Sequence, residues 1–324
     1  MTAFSHYRGA LDILQPAKNP IFILLQSVDA DALGSAMALI FALEQDKVKS
    51  TIFCVSPIPT FLTFLLNGRE IHNDISKIEL TDHDLVVVTD AGSIYRTGIQ
   101  LELEGYMENG GQLLNIDHHH IHEPFGTINL IDATASATAV LVYDLLKLGG
   151  WTISANIATA ILVGIIADTD NFSNAGTTIR ALTIAAECYA RGAETRQVWR
   201  GLYRHQPLGA LQLWGLIFSR LQRNERWGIV ATVILQEDFA RHGLSDEALD
   251  GLANFLSSLA DVNATMVLTE LPDHQIKGSL RTTKDNIDVS KLAAWLGGGG
   301  HKKAAGFTVS GRLAHSERGG WQIE

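Results

Sequence analysis

Four short groups of acids and imidazoles in this chain each follow an apolar run, and together they offer the ligands of a divalent-cation site. Asp29 and Asp31 follow the run 21–25, Asp90 follows 85–88, Asp117-His118-His119 closes 113–116, and Asp168 follows 161–167. In an open parallel α/β sheet the carboxyl ends of the strands share one edge, and ligands bind in the crevice there. Asp29, Asp31, Asp90 and Asp168 carry a summed charge of −4, which two divalent ions would neutralise. Carboxylate and imidazole ligands without thiolate suit Mn2+ or Mg2+ better than a structural zinc.

Each piece taken singly has a plainer explanation. An Asp ahead of a helix is common N-cap chemistry, which covers Asp29. A lone Asp after a strand, such as Asp90, is common turn chemistry. Asp168 follows so apolar a run that it needs a partner if buried. Asp117 can fix the tautomer of a neighbouring ligating imidazole, whereas His120 and His122 read as loop histidines. Their shared placement at the ends of apolar runs is what points to one converging site.

Two further features lie nearer the C-terminus. Gly297-Gly298-Gly299-Gly300-His301 places four consecutive glycines before an imidazole. Such a run is costly in entropy unless something must approach the backbone closely, and His301 could then meet an anion held by backbone N–H groups. Arg281, at the end of a strand-like segment, has the fork geometry of a bidentate phosphate clamp. A flexible turn and a surface arginine are the plainer readings of the two.

The elements that would position these groups alternate between strand and helix over residues 21–190. Runs 21–25, 50–55, 85–89 and 113–116 read as strands. Segments 34–45, 59–66, 135–148, 153–167 and 178–190 read as helices. That alternation predicts an α/β fold with a parallel sheet flanked by helices. After residue 191 the composition turns polar, and the pattern resumes with a helix at 208–221 and strands at 229–236, 265–271 and 277–283. Helices at 245–259 and 289–296 complete a smaller α/β domain with a mixed sheet. The predicted division is a metal-binding domain at 1–190, a linker at 191–207 and a substrate-binding domain at 208–324, with the active site in the cleft between domains.

Bulk composition agrees with a globular protein: 324 residues, 46% hydrophobic, 19% charged. A net charge of −10 argues against a long electropositive track for polymeric nucleic acid. It leaves small phosphorylated ligands open, because bound cations invert the local sign. Cys54 and Cys188 sit in apolar surroundings and read as buried thiols of a reducing compartment. The first residues lack the pattern of a secretory leader and no apolar stretch is long enough to span a bilayer, so a cytoplasmic location without membrane contact is expected.

The ordered set DADALGS, Asp90, DHH, Asp168 and GGGGHKKAAG resembles the DHH phosphoesterases with their associated C-terminal domain. The similarity is greatest to the oligoribonuclease/pAp phosphatase (NrnA-like) branch, which is related to RecJ nucleases. The resemblance implies that Asp31, Asp90, His118 and Asp168 hold one Mn2+, and that Asp90 bridges to a second ion on Asp29. It implies that His119 faces the scissile phosphate, and that Arg281, Gly299, Gly300 and His301 grip the terminal phosphate or nucleotide.

The chain departs from the family pattern in three places. Leu25 stands where the family has a His ligand of the second ion, and Val28 where it has a Pro. Asp170-Asn171-Phe172-Ser173 replaces a Gly and a later Arg beyond Asp168-Thr169. Asp170 could take the place of the missing ligand or simply solvate a loop.

The expected activity is hydrolysis of oligoribonucleotides of a few residues or of 3′-phosphoadenosine 5′-phosphate by a metal-activated hydroxide, with Asp90, His119 and Arg281 as catalytic residues. The alternatives are a catalytically impaired nucleotide- or metal-binding protein, for which Leu25 speaks, and a pyrophosphatase or exopolyphosphatase-like enzyme. The oligomeric state, a homodimer included, is open.

Overall fold

Three strands buried along their whole length, a short one buried beyond its first residue and a fifth, half-buried one build the sheet that carries the candidate residues. The computed structural model describes residues 3–119, 124–203, 208–242, 249, 252–257, 259–316 and 320–324. His120, His122 and much of the helix expected at 245–259 lie outside these described residues. The chain divides into two compact units, Met1–His205 and Gln206–Glu324.

The first unit runs α1 (Ala3–Leu14), β1 (Pro20–Ile23), α2 (Ala30–Gln45), β2 (Thr51–Phe53), β3 (Leu85–Thr89), α3 (Gln100–Glu108), β4 (Leu113–Asp117) and β5 (Ile128–Ile131). It continues with α4 (Thr138–Gly149), α5 (Ala155–Asp168), α6 (Ile179–Ala190) and α7 (Thr195–Tyr203). The strands pair in the order β2-β1-β3-β4-β5, every pair parallel. This is the parallel sheet the alternating pattern predicts. Strand periodicity sends successive side chains to opposite faces. Phe22, Val87, Leu114 and Ile116 join α2, α4 and α5 in the larger core. Ile21, Ile23, Val86, Val88 and Leu113 pack on the other face with Leu103 and Tyr106 of α3.

Register levels the strand ends that matter. Ile23 lies beside Val88 and Thr89 beside Ile116. The residues just beyond β1, β3 and β4 therefore emerge along one edge. The segment at 59–66, expected as a helix, is a 3-10 turn over Thr60–Leu66. In this unit α1, α3 and β5 have no counterpart in the sequence reading, and α7 lies in the stretch read as a linker. β5 is only four residues long and interrupted by Asn129, and α3 contains Gly105 and no continuous apolar stripe.

The second unit runs α8 (Leu208–Ser219), β6 (Gln222–Asn224), β7 (Ile229–Ile234), α9 (Gln236–His242), α10 (Leu252–Ser257), β8 (Ala264–Leu271) and β9 (Gln275–Arg281). It ends with α11 (Val289–Trp295), β10 (Gly299–His301), β11 (Ala304–Ser310), β12 (Leu313–His315) and β13 (Trp321–Ile323). Six strands form one mixed sheet in the order β10-β11-β9-β8-β7-β6, in which only β7 and β8 are parallel. Leu280, Ala305 and Phe307 from this sheet pack with Val289 and Ala293 of α11 in the unit's core. Among the described residues no helix is long and apolar enough to cross a membrane.

Candidate functional site

Asp31 sits in the first turn of α2 and is fully buried. Its carboxylate is not bare. Oδ2 accepts from the Thr138 N–H (2.6 Å) and Oδ1 from the Ala139 N–H (3.0 Å), so the N-terminus of α4 presents its unpaired amides to the acid. Ser35 Oγ adds a third donor at 3.2 Å. Space for this carboxylate comes from Gly164 of α5, where a Cβ would collide with Asp31 Oδ1.

Asp90 follows β3 with φ at +61°, a region that a residue with a Cβ occupies at a cost of about 1–3 kcal/mol. Its amide donates to Ile116 O (2.9 Å) and its Oδ1 accepts from Thr138 Oγ1 (2.9 Å), which hold it there. One turn of backbone outside the usual regions thus aims this side chain at the strand edge.

His118 follows β4. Its Nδ1 lies 3.2 Å from the Ala135 carbonyl, which can only accept, so Nδ1 carries a hydrogen and the neutral imidazole keeps its lone pair on Nε2. That Nε2 is buried without an aligned hydrogen-bond partner. It stands 2.9 Å from Asp168 Oδ2 and 3.4 Å from Asp90 Oδ1. Burial lowers the His118 pKa, Asp168 and Asp90 raise it, and the net direction is upward.

Asp168 is the last residue of α5 and not the end of a strand. Helix and strand therefore contribute to the same site, as the helix expected at 153–167 ahead of Asp168 implies. Ligand atoms of Asp31, His118 and Asp168 lie within 4.8 Å of one another, and so do those of Asp90, His118 and His119. An orphaned imidazole nitrogen among carboxylates fits a divalent cation such as Mn2+ or Mg2+.

His119 is oriented by Asp117. The fully buried Asp117 accepts from the His119 amide (2.7 Å) and from Nδ1 (2.9 Å) at Oδ1, and from the Gly92 N–H at Oδ2. Hydrogen bonding to Asp117 and then Asp90 pushes the His119 pKa up to about 10 against the opposing effect of burial. For Asp117, burial acts upward, but its bonds to His119 and Gly92 prevail and the pKa is lowered. The pair is an imidazolium–carboxylate with His119 Nε2 left to donate.

Asp29 stands apart. It is the N-cap of α2, its Oδ1 accepting from the Ala32 N–H at 2.9 Å, and it belongs to neither close group. Its pKa is pushed up to about 7, first by the density of protein around it and then by Asp90. Solvent at its exposed edge moderates the first of these causes. Asp31 is driven well above the ordinary carboxylate range by burial, then by Asp90, Asp168 and Asp29. Mutual repulsion of this kind is what a divalent cation relieves.

Leu25, where the resemblance implies a histidine, is completely buried and packs in the apolar cluster with Ile94, Phe53 and Ala32. Asp170, Asn171 and Phe172 all have positive φ (48°, 54° and 64°), and Asp170 is exposed. A Gly at 170 would adopt that conformation without strain.

In the second unit, register aligns His301 with Ala304 and Ala304 with Arg281. Directly paired residues project to one face, so His301 and Arg281 share a face across one intervening strand, about 10 Å apart in backbone. Gly299, Gly306 and Ser279 occupy the next row on that face. Gly300 is on the opposite row, where a Cβ would lie 2.6 Å from the Ala305 Cα. Small residues thus make a floor between two cationic or donor side chains. Desolvation of the half-buried Arg281 lowers its pKa.

Thr138, Ala135 and Gly164 have no place in the sequence reading of the site, and Ser35 enters it only as the last residue of the DADALGS motif. The signal for Gly164 was its position inside an apolar helix, where Gly is costly without a packing reason.

With this geometry in view, the comparisons with known proteins are direct. Residues 20–165 match the DHH family, N-terminal domain, and residues 228–317 match the DHHA1 domain. The chain is 30% identical over 305 residues to the bifunctional oligoribonuclease and PAP phosphatase NrnA of Thermus thermophilus, covering 94% of this chain and 88% of that protein. It is 28% identical over 284 residues to the protein of the same name from Bacillus subtilis, covering 87% and 86%. The crystal structure of an exopolyphosphatase-related protein from Bacteroides fragilis superposes with a TM-score of 0.84 at 22% identity, covering 94% of this chain and 91% of that one. The chain belongs to the DHH family and carries the DHHA1 domain beside it.

Proposed function

We propose that the protein is a metal-dependent phosphoesterase acting on short phosphorylated substrates, oligoribonucleotides of a few residues and 3′-phosphoadenosine 5′-phosphate among them. The observation that carries this is the convergence of Asp31, His118 and Asp168, with Asp90 and His119 alongside. The names of the relatives from Thermus thermophilus and Bacillus subtilis support the substrate class. A net charge of −10 supports short substrates over polymers.

In this reading Asp31, Asp90, His118 and Asp168 hold one divalent ion, Mn2+ or Mg2+, and Asp90 and Asp29 hold a second, weaker one. When bound, such ions acidify water enough to attack phosphorus at neutral pH and offset phosphoryl charge. His119, protonated and oriented by Asp117, donates from Nε2 to a phosphoryl oxygen as charge builds there. Thr138 and the amides of α4 keep the Asp31 and Asp90 carboxylates from rotating. Arg281, Gly299, Gly300 and His301 bind the substrate's terminal phosphate or nucleotide.

A substrate panel with purified protein in Mn2+ tests this. Inorganic phosphate from 3′-phosphoadenosine 5′-phosphate and mononucleotides from a short 5′-phosphorylated oligoribonucleotide are the expected products. Folded protein that turns over neither in Mn2+ or Mg2+ would refute the reading. Buried Leu25 and the capping role of Asp29 favour a second reading, a member that binds metal or nucleotide without hydrolysis. Calorimetric titration with Mn2+ separates the two: two sites with turnover support the enzyme, at most one site without turnover the binder.

A further inference from the structure

The carboxylate cluster is a repulsive place for an anionic substrate, and the loop that supplies Asp90 also carries a cation. Arg96 lies in the 3-10 turn Ile94–Thr97, which Ser93 caps and Gly98 ends with φ at +74°. Its backbone is fixed at both ends. The Arg96 N–H donates to Ser93 O at 3.1 Å, and Arg96 O accepts from the Gln26 N–H at 2.7 Å, close after β1.

The guanidinium, by contrast, belongs to an exposed residue and has no hydrogen bond or ion pair among the described residues. Its Nη1 lies 3.7 Å from the point a Cβ would occupy on Gly92, and His119 Cγ lies 3.6 Å from that same point. Arg96 and His119 therefore flank one backbone position beside Asp90. The Arg96 charge is also felt at Asp29, whose pKa it lowers against the stronger effects of burial and Asp90.

We propose that Arg96 is a substrate-binding residue of this site, gripping non-bridging oxygens of the phosphate group beside His119 through its guanidinium fork. The proposal rests on the phosphoesterase reading and assigns the first unit a phosphate contact of its own, separate from Arg281. A planar fork with unsatisfied donors matches a phosphate bidentately, which a lysine cannot reproduce. Immobilising the backbone at Ser93 and Gln26 keeps the ordering cost to the side chain alone.

The test uses the full chain loaded with Mn2+, with inorganic phosphate as probe in calorimetric titration. Arg96→Ala is expected to weaken phosphate binding by about 10-fold or more and to raise KM for substrate more than it lowers kcat. The stoichiometry and affinity of Mn2+ are expected to stay those of the unaltered protein, and Arg96→Lys to recover only part of the loss. Phosphate affinity unchanged in Arg96→Ala would overturn the proposal. So would a parallel loss of Mn2+ affinity, because Arg96 would then be supporting the acids. If the unaltered protein binds phosphate yet hydrolyses no phosphoester, the proposed activity fails while the Arg96 comparison still decides this contact.

Discussion

His118 Nε2 and Asp168 Oδ2 stand 2.9 Å apart, an imidazole nitrogen facing a carboxylate at the meeting of β4 and α5. In the metal-free protein this pairing favours the protonated imidazole, and a divalent cation would take the place of that proton between the two atoms. Mn2+ should accordingly raise the Tm of the protein, by linkage of binding to folding. The rise should vanish in His118→Ala, and that variant should lose turnover. Equal shifts in both proteins on a thermal melt would show that the ion binds elsewhere.

Protonation gives the metal-free protein a pH dependence of definite sign. Asp29 has a folded pKa of about 7 against an ordinary 3.8, so its contribution is greatest below about 4 and is lost as pH rises to 7. His119, raised to about 10 from 6.5, stabilises fully below 6.5 and loses that contribution as pH climbs through 10. Both act in the same direction. In chelator, Tm should fall from pH 4 to 7 and again toward pH 10, apart from the opposite effect of carboxylates with lowered pKa below pH 4. Saturating Mn2+ should flatten the first of these slopes. A chelated protein whose Tm climbs steadily from pH 5 to 9 would contradict the assignment.

Leu25→His should add a ligand near Asp29 at the expense of an apolar core. A histidine buried without a partner costs about 1–3 kcal/mol, so the metal-free Tm should drop. With Mn2+ present, a second binding event should strengthen and activity at limiting metal should rise. Calorimetry showing no change in the second event at any Mn2+ concentration would mean that the side chain at 25 is aimed away from the cations.

Asp170→Gly separates a ligand from a strained loop residue. Left-handed backbone costs a residue with a Cβ about 1–2 kcal/mol, part of which glycine's own flexibility in the unfolded chain cancels. The variant should be as stable as the parent or more so, by up to about 1 kcal/mol, with unaltered Mn2+ binding. Weakened metal binding would instead make Asp170 the substitute for the histidine absent at 25.

Much of this candidate site was legible in the chain because its acids and imidazoles follow the most regular signals a sequence carries. Val86, Val87 and Val88 announce a buried strand, so Asp90 could be placed at its end, and the same holds for His118 after Leu113–Asp117. What resisted reading were groups whose role is set by tertiary approach. Thr138 reaches Asp90 across 48 residues and its amide reaches Asp31 across 107, and neither separation leaves a local mark. Asp168 ends a helix that is almost continuously apolar from Ala160 to Ala167, so periodicity could not say which face met the sheet edge. Asp29 shows the reverse case: its N-cap role, the plainer of its two readings, is present in the fold whether or not an ion joins it.

Gly164 offers the most specific test of how that edge is built. It lies on α5 where the helix crosses the buried carboxylate, and a Cβ there would meet Asp31 Oδ1 and come within 2.8 Å of the Ala139 Cβ. In an exposed helix Gly→Ala would stabilise by up to about 1 kcal/mol. Here the methyl must displace Asp31 or push α4 away, and overpacking of this kind costs about 1–3 kcal/mol. Moving Asp31 breaks its bonds to Thr138 and Ala139, so metal affinity should fall together with stability. Gly164→Ala should therefore lower Tm in chelator and, beyond that, lose most of the additional rise that Mn2+ gives the parent. A variant that melts lower but gains the full increment from Mn2+ would separate packing at Gly164 from the aim of Asp31, and would remove Asp31 from the ion's ligands.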